Sequence, residues 1–124
     1  MTTVTIGSLF IACLLPILCT GIAKIGDKSF NNRDPRSWLS KQEGFRKRAN
    51  AAQMNSWEAL ALFTAALLVA HQTQGDAILI TRLSAGFVVC RIAYIGAYLA
   101  DVHAIRSLVW FAGFICTVAL FFTA

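Results

Sequence analysis

Glu58 stands inside the apolar run Ala49 to Ala70, three residues after Asn55 and ten after Arg48, and the next apolar run carries Arg91, Tyr94 and Tyr98. An ionisable group in hydrocarbon costs several kcal/mol unless it faces a bundle interior and finds a partner, so such a set marks a pocket by default. A carboxylate, an amide, a guanidinium and two phenols can hold a small polar, partly anionic molecule. None of them is a covalent nucleophile. Arg106 follows at the start of the next apolar run. A fixed cation there favours a thiolate over a thiol, and the thiolate is the nucleophilic form.

The elements that must position these groups are membrane helices. The chain has 124 residues, 57% hydrophobic and 14% charged, with a mean hydropathy of +0.64, whereas soluble domains carry about 25% charge. Four stretches reach the ~20 residues that cross a hydrocarbon core as helix: about 4–23, 50–70, 77–100 and 105–124. The expected architecture is one all-α domain over 1–124, a four-span multi-pass bundle with a single long loop at 24–49. A signal peptide is disfavoured, because no Lys or Arg precedes Lys24 and such leaders begin with a positive segment. Pro16 falls in the first span, where a kink is tolerated. Gly75-Asp76 reads as a stop followed by an N-cap, and Asp101 as the end of the third span.

Eight of the eleven basic residues lie between Lys24 and Arg48. Short basic loops stay in the cytoplasm, which predicts a cytoplasmic loop with both termini outside. The same charge suits anionic lipid headgroups. Nucleic acid is a poor partner, since the basic residues flank a span and no recognition motif accompanies them. Cys13, Cys19, Cys90 and Cys116 form no C-x-x-C pair and read as small apolar core residues, and His71 and His103 lack ligand-spaced partners, so no metal is expected. Arg82 lies across its helix from Arg91, near an end where its side chain can snorkel.

At 100° per residue, Arg48, Asn55 and Glu58 project from one side of the second span, and Arg91, Tyr94 and Tyr98 share a stripe on the third. Depths of ~12 Å for Glu58 and ~14 Å for Arg91, at 1.5 Å per residue, bring the two level, and Tyr98 comes out at ~3 Å. The expectation is a Glu58–Arg91 ion pair, with Asn55 bonding across the helix pair, at the base of a polar ladder opening towards the cytoplasm.

The run Ala52-Gln53-Met54-Asn55-Ser56-Trp57-Glu58 after Arg48, then Arg91-Ile-Ala-Tyr94-Ile-Gly-Ala-Tyr98 and Arg106-Ser107, resembles the membrane-associated proteins in eicosanoid and glutathione metabolism (MAPEG), which include microsomal glutathione transferases. The resemblance covers nearly the whole chain. It implies a homotrimer of four-helix bundles with glutathione as co-substrate, bound between subunits near the cytoplasmic side, and an apolar electrophile or hydroperoxide drawn from the bilayer. By this resemblance Arg48, Gln53, Asn55, Glu58, Arg91, Tyr94 and Tyr98 hold glutathione, and Arg106 stabilises its thiolate. The compact chain is similar to bacterial members, which implies the inner membrane. It departs at Ala51 from the enzymatic members similar to leukotriene C synthase, which carry an arginine immediately before the Ala-Gln pair. That departure is shared by non-catalytic members, so a lipid-binding or scaffold protein of the same fold is the alternative.

Overall fold

Three of the five helix starts in this chain are set by oxygen side chains that accept otherwise unpaired backbone N–H groups. Thr2 Oγ1 accepts from Thr5 N at 3.2 Å, Asp34 Oδ1 from Ser37 N at 3.3 Å, and Asp76 Oδ1 from Leu79 N at 2.8 Å. In the computed structural model, which describes residues 1–124, five helices result: α1 (Thr3–Lys24), α2 (Pro35–Ser40), α3 (Gly44–Gln72), α4 (Ala77–Leu99) and α5 (His103–Leu120). There are no strands. Two stops use the left-handed backbone region at residues other than glycine, Gln74 (φ 55°) and Asp101 (φ 61°). Beyond Asp101 the Val102 N–H returns to the Ala97 carbonyl at 2.9 Å, which closes α4. Asp76 is thus the predicted N-cap, and α1 runs through Pro16 without interruption.

The expected loop 24–49 is corrected in two places. It contains α2, and α3 begins at Gly44 rather than near Asn50. Arg46, Lys47 and Arg48 are good helix formers, so the helix continues past the end of its apolar stretch. A helix boundary and a hydrocarbon boundary are set by different forces. Three helices, α1, α4 and α5, are long and apolar enough to cross a membrane, with mean hydropathies of 2.3, 1.7 and 1.6. At 29 residues α3 is the longest, but its first half carries Arg46, Lys47, Arg48, Gln53, Asn55 and Glu58.

Helix α1 runs antiparallel to α3: the Ala23 carbonyl at its end accepts from Arg46 Nη1 at 2.8 Å, and Thr2 at its start meets Thr81 of α4 at 2.7 Å. Their shared face is built of small residues. Ala12 shares a buried cluster with Ala66 and Ala70, Cys19 with Ala52, and Ala23 with Ala49. Small side chains let backbones approach closely, which is how helices gain packing energy where lipid competes for apolar contact. Phe63 stacks on Phe87 of α4 with ring centroids 4.0 Å apart, filling the middle of the bundle.

Glycine governs the α4–α5 contact. A Cβ on Gly113 would stand 3.3 Å from Cys90 Cβ, and one on Gly86 would stand 3.5 Å from Cys116 Sγ, so each cysteine sits over a glycine of the opposite helix. All four cysteines are free thiols, but the reading of them as core residues holds in full only for Cys19, which is buried; Cys90 and Cys116 are half-buried at the α4–α5 contact, and Cys13 is exposed on α1. At the α3–α4 turn a Cβ on Gly75 would collide with the Thr123 side chain, while Asp76 N donates to the Thr123 carbonyl at 3.0 Å. That turn therefore holds the C-terminal residues against it.

The segment between α1 and α3 folds back on itself. Trp38 Nε1 donates to Ser29 Oγ at 3.1 Å, Phe30 packs edge-on against Trp38 at 5.1 Å, and Lys24 lies over the Phe30 ring at 4.4 Å. The Ser29 hydroxyl and N–H both donate to Asp27 Oδ1, at 2.6 and 2.7 Å. These bonds, with Arg46 at 3.8 Å, hold the Asp27 carboxyl below its ordinary range.

Candidate functional site

Arg91 is the buried centre of the polar set, with only 3% of its surface exposed. Its Nη2 donates to Asn55 Oδ1 at 2.8 Å and to Ser56 Oγ at 3.3 Å, both on α3. Its guanidinium lies over the Tyr94 ring, 4.2 Å from the centroid. Tyr94 meets Tyr98 edge-on at 5.7 Å, and the Tyr98 ring carries the Arg106 guanidinium at 4.4 Å. The result is a continuous ladder, Asn55–Arg91–Tyr94–Tyr98–Arg106, rising from mid-bundle to the turn between α4 and α5. Each cation rests on a π face, an arrangement worth ~2 kcal/mol or more where water is excluded.

The expected Glu58–Arg91 ion pair does not form: the ion pairs in the chain are Arg46–Asp27 and Lys47–Glu43. Glu58 is exposed on the surface of α3. The depth estimate was sound, since both residues line one cleft. The azimuth was not. Asn55 and Ser56 face α4, and Glu58 is turned about 60° from Asn55 and 160° from Ser56, away from Arg91. Arg91 is therefore held by neutral dipoles and a ring face.

The cleft between α3, α4 and α5 has Asn55, Glu58 and Arg91 at its polar end and Leu62, Phe87, Trp110 and Phe114 along its walls. Trp110 and Phe114 stack at 5.3 Å with planes 9° apart. Its enclosed volume is only ≈ 70 Å³. A second recess of ≈ 150 Å³ holds Tyr94, Arg106, Ser107, Trp110 and Phe111. Trp110 stands between the two, and both open onto α5, most of which is exposed.

The structure thus joins Asn55, Arg91, Tyr94, Tyr98 and Arg106 in one array and sets Glu58 at its edge. Two expected residues lie apart. Arg48 donates through Nε and Nη2 to the Leu99 carbonyl, at 3.3 and 3.2 Å, so it ties α3 to the end of α4. A cation suits the carbonyl end of a helix, where the backbone dipole is negative. Gln53 is half-buried, about 200° round α3 from Asn55, and lines neither recess. Two contributors escaped the sequence reading. Ser56 adjoins Asn55 in the chain and shares its bond to Arg91. Trp110 follows Arg106 by four residues, so helical spacing alone places the two on one face.

No curated protein and no solved structure matched the chain. The MAPEG family model matches residues 3–124, essentially the whole chain and every helix that builds the ladder. With three helices apolar enough to cross a bilayer, the chain is an integral membrane protein and belongs to the MAPEG family.

Proposed function

We propose that the protein is a membrane-bound glutathione transferase or peroxidase, using the thiol of glutathione against apolar electrophiles or hydroperoxides dissolved in the bilayer. The observation that carries this reading is the ladder itself, with an arginine at each end, two phenols between them and openings beside the most lipid-exposed helix. Such an array suits a small peptide with carboxylates. Arg106, at the wetter end, is the cation placed to stabilise a thiolate. Arg91 and Asn55 at the buried end fix the tyrosines from below.

On this reading α3 is the fourth crossing, and chains associate as trimers. Two features favour association. An exposed carboxylate on a membrane helix needs cover, and Glu58 has none within the chain. The volume of ≈ 70 Å³ is also well below the roughly 300–1,000 Å³ of small-molecule sites, and on this reading a neighbouring copy completes the wall. Gln53, on the other side of α3, is placed to serve such a neighbour. The basic segment between α1 and α3 faces the cytoplasm of a bacterial inner membrane. Cysteines introduced at Ser40 and Thr73, both exposed, are then expected to label from opposite sides with a membrane-impermeant maleimide. Labelling of the Ser40 position from outside intact cells would overturn this orientation.

Calorimetry of glutathione binding to detergent-purified protein, paired with a thiol-conjugation assay, tests the activity. Binding with turnover supports the transferase, and the absence of both excludes it. A non-enzymatic lipid-binding or scaffold protein is the second reading, and Ala51 favours it. Ala51 lies one turn before Asn55 on the same side of α3, and Arg48 does not replace the missing guanidinium because it is bonded to Leu99. Ala51→Arg is expected to tighten glutathione binding by about tenfold or more, since a hydrogen bond to a charged group contributes about 1.5–3 kcal/mol and about 1.4 kcal/mol is tenfold. Unchanged affinity would show that this face of α3 does not meet glutathione.

A further inference from the structure

At the end of the bundle remote from the Tyr98–Arg106 recess, a groove of ≈ 320 Å³ runs beside α4, lined by Thr2, Ala77, Ile78, Thr81 and Arg82. Arg82 is exposed and makes no ion pair with any residue of the chain. It lies five residues into α4, about 7.5 Å along the helix, and thus near the boundary between headgroups and hydrocarbon, since each headgroup layer is roughly 5–8 Å thick. Ile78 and Val89, each 66% exposed, fall within about 40° of Arg82 around the helix, so the guanidinium projects from a stripe that faces lipid. A cation at that depth without a protein partner takes its counter-ion from the membrane.

The groove supplies more than charge. Thr2 Oγ1 and Thr81 Oγ1 meet at 2.7 Å, Thr5 Oγ1 donates to Thr81 Oγ1 at 3.4 Å, and Thr81 Oγ1 donates to the Ala77 carbonyl at 2.7 Å, which pins the start of α1 against α4 and gives the groove a fixed wall beside the guanidinium. The nearby acid, Asp76, is engaged in capping α4 through Leu79 N. We propose that this groove is a phospholipid site: the lipid phosphate pairs with the Arg82 guanidinium, and an acyl chain runs inward from it along the exposed Val89. Charge complementarity selects the phosphodiester, and the apolar stripe below it selects a lipid over free phosphate. The site is separate from the glutathione ladder and does not depend on that reading.

Native mass spectrometry of protein released from mixed micelles can count retained lipids, with phosphatidylglycerol compared against diacylglycerol, which lacks the phosphate. Wild type is expected to retain phosphatidylglycerol in preference to diacylglycerol. Arg82→Gln should weaken that retention about fivefold, the effect of one basic residue near a charged surface, while Arg82→Lys keeps most of it. Because Arg82 is exposed, helical content by circular dichroism should be the same in all three proteins. Equal retention of phosphatidylglycerol by Arg82→Gln, equal retention of diacylglycerol by wild type, or displacement of the lipid by inorganic phosphate would each overturn the proposal.

Discussion

Asn55→Ala is expected to lower the unfolding free energy in detergent by about 1.5–3 kcal/mol, the value of a hydrogen bond to a charged group, and to cost more than Glu58→Gln. The Asn55 carbonyl is the closest acceptor to the buried Arg91 guanidinium, at 2.8 Å, whereas Glu58 is exposed and makes no ion pair with it. Alanine leaves Arg91 with Ser56 Oγ at 3.3 Å and the Tyr94 ring. A buried charge that loses a partner bears the desolvation cost of the missing bond. The double variant Asn55→Ala with Arg91→Leu should recover part of the loss, because no uncompensated charge then remains. Thermal unfolding followed by circular dichroism measures all three. The pattern of spacing along the chain pointed the other way, to Glu58 as the partner, so a larger loss in Glu58→Gln would restore that pairing and overturn the geometry.

If the protein is the proposed transferase, Arg106→Ala is expected to cut conjugation at neutral pH roughly eight- to 25-fold, with glutathione affinity largely kept. An unperturbed thiol has a pKa of about 8.5 and is about 3% thiolate at pH 7. A cation that lowers this pKa by about one to two units raises the thiolate fraction by that factor. The sign of the pH dependence follows. On the transferase reading the wild-type thiol is depressed, so its rate is expected to level off at a lower pH, whereas in the variant the rate should continue to rise through about pH 8.5. Ultraviolet difference absorbance on adding glutathione reports the thiolate directly. Tyr98→Leu, which removes the ring beneath the Arg106 guanidinium, should reproduce part of the effect, and Tyr98→Phe, which keeps a ring, much less. An unchanged pH profile in Arg106→Ala would return Arg106 to the role of a topology-setting charge.

Periodicity and depth made much of this protein legible in its sequence. The apolar runs located α1, α4 and α5, the Asp76 cap was readable from local chemistry, and the motif run from Gln53 to Arg106 carried the family. The start of α3 was not, because hydropathy marks where hydrocarbon ends, while helix propensity carries the backbone on through Arg46 to Arg48. Partner choice inside the slot was not legible either. Axial rise is fixed at 1.5 Å per residue, so the chain itself placed Asn55, Glu58 and Arg91 at similar depth. Rotation of each helix about its axis is set by how neighbouring surfaces pack. The small-residue face from Ala49 to Ala70 docks on α1, and that docking turns Asn55 and Ser56 to Arg91, Glu58 outward, and Arg48 to the end of α4. The sequence determined which polar groups lie at which depth, and only the tertiary packing decided which of them meet.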